Sequence, residues 1–167
     1  FDQDALWFAI ERGDLQVIST DHCPFFFKGQ KEAGKDNFAK IPNGAPGVET
    51  RMVVIYTAGV LEDWITLNKF VELNSTNPAK MFGLFPQKGT IAVGSDADIV
   101  VFDPEKEVTL SAKNLHQNTD YTPWEGMIVK GYPIKIISRG KLIVEDGKLT
   151  GEKGWGKFVK RDRFYPL

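Results

Sequence analysis

A chain of 167 residues, 42% hydrophobic and 26% charged, has the make-up of one or two globular units, and 12 Phe with 4 Trp supply ample core material. Its 21 Lys plus Arg balance 22 Asp plus Glu, which argues against nucleic acid, membrane surfaces or any other partner recognised by bulk charge. The single Cys excludes an intramolecular disulfide, and no apolar run approaches the roughly 18 residues of a spanning helix, so the cytoplasm is the expected compartment.

The chain opens on Phe1 rather than Met and runs straight into a helical pattern with no signal-like segment, the reading expected of a fragment. Asp2 is placed to cap a helix whose apolar positions Ala5, Leu6, Ala9 and Ile10 share one face and which Gly13 stops. Residues 15–20 then read as a buried strand. A helix followed at once by a short apolar strand is half of a βαβ unit, and Asp21 stands where parallel-sheet proteins carry catalytic groups, at the strand's end. Residues 24–47, rich in Gly, Pro, Lys and Asn, form a connection longer than usual, which is expected to be functional or disordered. Helical patterning returns at Val48, Met52, Ile55 and Tyr56, over 67–73, and again from Asn77-Pro78, read as cap and first helical position, up to Gly83.

Near Lys88 the period changes. Short strands are expected over 90–93, 99–102, 108–110, 127–130, 134–138 and 141–145, with turns at 94–96, 139–140 and 146–147. Asp146-Gly147 is a strong signal for a two-residue type I′ turn. Residues 151–167 are basic and aromatic without periodicity and read as a tail lying on this or a neighbouring subunit. No internal repeat is evident.

The residues with the most chemical potential are Asp21, His22 and Cys23. A carboxylate just past a buried strand can serve as metal ligand and general base, because the strand fixes it while the open end admits substrate. The bland alternative is a helix cap or a loop ion pair. His22 leaves the strand end on the opposite side from Asp21, which favours a hydrogen-bonding structural role over ligation of the same metal. Cys23 has no cationic cluster beside it and reads as a small buried packing residue. Zinc sites need at least three protein ligands. With only His22 and His116 available, the remaining ligands of any site at Asp21 are expected elsewhere. Gly94-Ser95 lies in a turn between strands, unlike a nucleophile elbow, and no Gly-rich phosphate loop ends in Lys-Ser or Lys-Thr.

A second suggestive stretch is IPNGAPG, residues 41–47. Pro and Gly impose an irregular backbone there, which can aim its own N–H and C=O groups at a planar amide, or can simply be a tight surface turn. Sequence distance alone does not place Asn43 beside Asp21.

Thr20-Asp21-His22-Cys23-Pro24, Gly29-Gln30-Lys31, residues 34–38, IPNGAPGVETRM and Ser75-Thr76-Asn77-Pro78-Ala79-Lys80, taken in order, resemble the C-terminal portion of the dihydropyrimidinase and D-hydantoinase family. GTIAVGSDADIVVFDP and WEGMIVKGYPIKIISRGKLIVEDG are similar to the segments where cyclic amidohydrolases return to their β-sandwich. The resemblance covers essentially the whole chain. It implies an α/β fold: the C-terminal part of a metal-dependent (β/α)8 barrel in residues 1–88, the C-terminal share of a small β-sandwich in 89–150, and a tail in 151–167. It also implies a pair of zinc ions bridged by hydroxide and a carbamylated lysine, with histidines from upstream strands absent here.

By the same resemblance Asp21 ligates one metal and shuttles the proton, and the backbone of Asn43 binds the substrate's amide edge. The implied substrate is a small cyclic amide or ureide, opened to an N-carbamoyl amino acid by a homotetrameric enzyme. Two alternatives stand beside this reading. One is a non-catalytic dihydropyrimidinase-like scaffold protein, against which Asp21 and Asn43 argue. The other is a structural piece without activity of its own, which is what the isolated chain is expected to be.

Overall fold

The computed structural model describes residues 2–167. Helix α1 (Asp2–Arg12) places Asp2 and Asp4 in its first turn, where their charges face the positive end of the helix dipole. Asp2 thus lies inside the helix rather than at its cap. Gly13, at φ +85°, ends the helix as expected, and the N–H of Asp14 returns to the carbonyl of Ala9 at 2.8 Å. The packed face differs from the expected one: Ile10 is buried and Trp7 half-buried, whereas Ala5 and Leu6 are exposed. Trp7 stacks on Trp64 and Phe8 meets the same ring edge-on, so aromatic size decides the face here.

Residues 16–20 carry no regular secondary structure and no ladder partner among the described residues, and the segment is not buried as expected: Leu15 and Ser19 are exposed and the rest half-buried. The long connection after them is ordered by two 3₁₀ turns, Lys31–Gly34 and Phe38–Lys40, the second capped by the Asn37 side chain. Helix α2 (Arg51–Ile55) continues as a π-helical stretch over Tyr56–Val60. Two separate helices were expected from the patterning at 67–73 and at Asn77-Pro78. The structure instead has one rod: α3 (Leu67–Val71), a π-helical stretch (Glu72–Thr76) and α4 (Asn77–Met81). Pro78 lacks an N–H and its ring would crowd the carbonyl four residues back, and the wider π turn before it relieves both problems without a break.

Four antiparallel strands follow in the order β1 (Ile99–Thr109), β2 (Ile128–Ser138), β3 (Lys141–Glu145) and β4 (Lys148–Leu149). The expected strands 99–102 and 108–110 are one strand, as are 127–130 and 134–138. Register shifts between Val101 and Phe102 and between Asp103 and Glu107 interrupt the two-residue alternation that would have joined them. No strand forms over 90–93, where Ile91 and Val93 stand exposed, and Gly94 turns the chain without joining two strands. Asp146 and Gly147 both take positive φ, 47° and 75°, in agreement with the expected type I′ turn, and Arg139 and Gly140 do the same at 46° and 79°.

Two apolar clusters hold helices to sheet. Ile10, Ile55, Tyr56, Ile65, Phe70 and Leu73 form the first, with Ile18 and Phe102 against it. Val53, Leu110 and Val129 form the second. At the seam Gly131 sits at φ +91° beneath the Tyr56 ring, which a Cβ would approach to 2.4 Å. The Thr57 hydroxyl bonds both the N–H and the carbonyl of Lys130 at 3.1 Å.

Between helices and sheet, Lys88 is gripped by Asp96 at 2.8 Å and by Asp98. Asp98 also accepts the N–H of Arg139 at 2.7 Å. The Lys88 hydrogen bond holds the Asp96 carboxyl below its usual range; for Asp98 burial works the other way and is outweighed by Lys88 and the Arg139 N–H. The GSDAD turn is therefore a structural clamp, and the Ser95 hydroxyl is spent on the carbonyl of Pro86 at 2.8 Å. The tail lies on its own chain. The N–H groups of Asp162 and Tyr165 bond the carbonyls of Gly83 and Lys80, at 2.8 and 3.0 Å, and Arg139 stacks on Trp155.

Gly131→Ala should cost about 2–4 kcal/mol in urea denaturation, from overpacking against Tyr56 plus a left-handed φ that L residues disfavour. The stability contributed by Asp96 and Asp98 is complete above their ordinary value of 3.8 and is lost as pH falls through their lowered folded values. Asp98→Asn should accordingly flatten that part of the acid limb in denaturation midpoints measured from pH 6 downward.

Candidate active site

Asp21 ends the extended segment and takes φ +44°, a left-handed conformation that Asp tolerates better than most residues. Its carboxylate is exposed and makes no hydrogen bond or ion pair with the other described residues. It is neither a helix cap nor half of a loop ion pair.

His22 turns the other way. Its Nδ1 accepts the N–H groups of Gly47 at 3.0 Å and Val48 at 3.3 Å, so the ring carries its proton on Nε2. Metal ligation through Nε2 would move that proton to Nδ1 and forfeit both bonds. The structural role expected for His22 is what the geometry shows. Cys23 departs from expectation: it is exposed rather than buried, since the chain has already left the core at Asp21.

The backbone of this corner pairs with the IPNGAPG loop. His22 bridges Ala45 in parallel, and the Cys23 N–H donates to the Ala45 carbonyl at 3.3 Å. Gly44 has φ +119°, and a Cβ there would lie 2.4 Å from the Cys23 carbonyl oxygen; one at Gly47 would touch Thr20. The two stretches that sequence distance left unconnected are thus interlocked. Asn43 is exposed at the crest of this loop, and its main-chain N–H and carbonyl form no hydrogen bond within the described residues.

Several residues that support the corner carried no readable signal in the sequence. The Lys31 ammonium bonds the carbonyl of Pro42 at 2.6 Å. Asp120 accepts the N–H groups of Lys28 at 3.0 Å and Phe27 at 2.6 Å, and these two bonds hold its carboxyl below the usual range. Arg51 and Asn77 bond the carbonyls of Ile18 and Gln16. Such contacts join side chains to distant main-chain groups and leave no pattern along the chain. His116 is held by both oxygens of Glu49, at 2.6 Å to its N–H and 2.7 Å to its ring. Among the described residues no three His, Cys, Asp or Glu side chains converge on one point, so Asp21 fits a metal site as a single ligand only.

The corner thus combines an exposed carboxylate after helix α1, a loop stapled beside it and an antiparallel sheet further along the chain. The model of the amidohydrolase family matches residues 2–143, and the chain belongs to that family. Within the family its relatives are hydantoinases and dihydropyrimidinases. It is 49% identical over 165 residues to the D-hydantoinase of Geobacillus stearothermophilus and 52% identical over 163 residues to that of Ralstonia pickettii, matching 99% and 98% of this chain and 35% of each relative.

Among solved structures, the dihydropyrimidinase of Brevibacillus agri superposes with a TM-score of 0.96 at 52% identity, over 99% of this chain and 36% of that one. The L-hydantoinase (dihydropyrimidinase) of Arthrobacter aurescens gives 0.85 at 36% identity, over 93% and 34%. The chain thus spans about a third of the length of its relatives. The mixed helix and sheet content of these neighbours agrees with the expected fold class, the C-terminal part of a barrel with a share of a sandwich. No helix among the described residues is long and apolar enough to cross a membrane.

If the Gly44–Cys23 contact holds the corner together, Gly44→Ala should speed amide hydrogen exchange at Cys23 by about tenfold or more. Asn43→Ala, which leaves that contact alone, should change it by less than about twofold. Mass-spectrometric exchange of the peptide containing Cys23 reads both.

Proposed function

We propose that this chain is the C-terminal third of a zinc-dependent cyclic amidohydrolase, which opens hydantoin or dihydropyrimidine rings to N-carbamoyl amino acids. The observation that carries the reading is the Asp21 carboxylate: exposed, without a structural partner, at a strained backbone position, and stapled beside a loop whose main chain at Asn43 is unspent. Residues 1–88 complete the barrel in this reading, 89–150 contribute to the sandwich and 151–167 form the tail. The assembled enzyme is a cytoplasmic homotetramer working in pyrimidine catabolism.

The chemistry divides between this chain and the rest of the polypeptide. A zinc pair, held by Asp21 together with residues outside this chain that include a carbamylated lysine, would supply Lewis acidity for the amide carbonyl and an activated water. Asp21 contributes one ligand. Its carboxylate also takes the proton released as water adds to the ring carbonyl carbon, and returns it to the ring nitrogen as the C–N bond breaks. The product keeps both atoms of that bond, one as carboxylate and one as carbamoyl nitrogen. The N–H and C=O of Asn43 meet the amide edge of the ring, so the Asn43 side chain matters less than the path of its backbone. His22 stays out of the reaction and holds the loop that carries Asn43.

The test joins this chain to the preceding two-thirds of a hydantoinase relative and measures ring opening by absorbance. Asp21→Asn keeps the shape but cannot accept the proton, and turnover should fall to less than about a hundredth. Retention of a substantial fraction of activity would end the assignment. The chain by itself should open no ring, and titration calorimetry should show no submicromolar zinc site.

A further inference from the structure

We propose that Arg51 and Asn77 are positioning residues for Asp21, tying two carbonyls of residues 15–20 to the starts of α2 and α4; this rests on the reading of Asp21 given above. In an extended segment the carbonyls alternate between the two edges, so those of Gln16 and Ile18 point to the same side. Both are taken by side-chain donors. Asn77 Nδ2 bonds the Gln16 carbonyl at 2.8 Å, and Arg51 Nη1 bonds that of Ile18 at 3.0 Å.

The two donors come from the first residues of α2 and α4, and each is itself fixed. Asn77 is 4% exposed and is locked in the rod formed by the π stretch and Pro78. The N–H of Arg51 bonds the carbonyl of Gly47 at 3.0 Å, and the N–H of Gly47 in turn bonds His22 Nδ1. Arg51 therefore holds the chain on both sides of Asp21. Its guanidinium grips Ile18, three positions before, and its main chain reaches His22, one position after, through Gly47. The strained Asp21 backbone is suspended between two anchors that share one residue. The Ile18 side chain, packed against the first apolar cluster, sets the remaining direction.

An error of about 1 Å in a reacting group can cost on the order of a hundredfold in rate, so loosening this suspension should act on turnover more than on substrate binding. In the joined polypeptide, Arg51→Met keeps the stem length and removes the donors. Its kcat should fall about tenfold to a hundredfold with KM changed less than about twofold. Zinc retained after dialysis against a chelator should fall in parallel. Arg51→Lys, which keeps a donor and the charge, should recover part of the loss, and added guanidinium should partly restore Arg51→Met. In the double variant with Asp21→Asn, Arg51→Met should have no further effect.

The proposal is overturned if Arg51→Met leaves both kcat and zinc retention unchanged while Asp21→Asn is inactive. It is overturned equally if the folded fraction falls in step with kcat in both Arg51 variants and guanidinium restores nothing, which would mark a purely structural role. An active Asp21→Asn would instead sink the assignment of Asp21 itself.

Discussion

The Nδ1 lone pair of His22 receives two main-chain N–H groups from a loop more than twenty positions away, and every feature with chemical meaning in this chain depends on that contact. It fixes the imidazole tautomer and removes His22 from the list of ligands. It brings the crest of the IPNGAPG loop beside the residue that follows the extended segment. The adjoining bond from Cys23 to Ala45 turns a point contact into a short stretch of pairing, and Gly44 permits it because a Cβ there would lie 2.4 Å from the Cys23 carbonyl oxygen, while one at Gly47 would press on Thr20 at 3.2 Å. The histidine is thus the member of the trio that ties the backbone together, and the carboxylate beside it makes no hydrogen bond or ion pair with the other described residues.

Much of the local structure could be read along the chain because its causes are local. Gly13, Gly83 and the Asp146-Gly147 pair end or turn elements through their own backbone preferences, and those expectations hold. Misreadings occur where the cause lies across space. Asn77-Pro78 looks like a helix start, yet a π turn upstream absorbs the proline. Bulges hide the continuity of β1 and β2, and the exposed apolar residues at 90–93 have the composition of a strand without its partners.

The candidate site divides along the same line. Asp21 and Asn43 stood out because unusual residue types mark them, an acid where a strand ends and an amide amid Pro and Gly. Their proximity, the tautomer of His22, the exposure of Cys23 and the roles of Arg51 and Lys31 could not be read, since each depends on which main-chain group a side chain happens to face. The Lys88–Asp96–Asp98 clamp shows the opposite hazard: two carboxylates in one turn with a lysine upstream invite a chemical reading, while their bonds go to one another and to the hairpin of β2 and β3.

The close approach of Gly44 to Cys23 also bears on how this protein can exchange sequence with its relatives. A Cβ at 44 would meet both the carbonyl oxygen of Cys23, at 2.4 Å, and its Cβ, at 2.6 Å, so the contact makes a strict demand on what stands at 44. A breakpoint between the 3₁₀ turns would part Gly34 from Ile41 and Lys31 from Pro42, so the two loops can be shuffled from different parents only by crossovers ahead of Lys31, with glycine kept at position 44. A recombination library built from hydantoinases at about half identity should tolerate breakpoints there. Breakpoints between the helices and the sheet would instead separate Tyr56 from Gly131, where the fit depends on both partners at once.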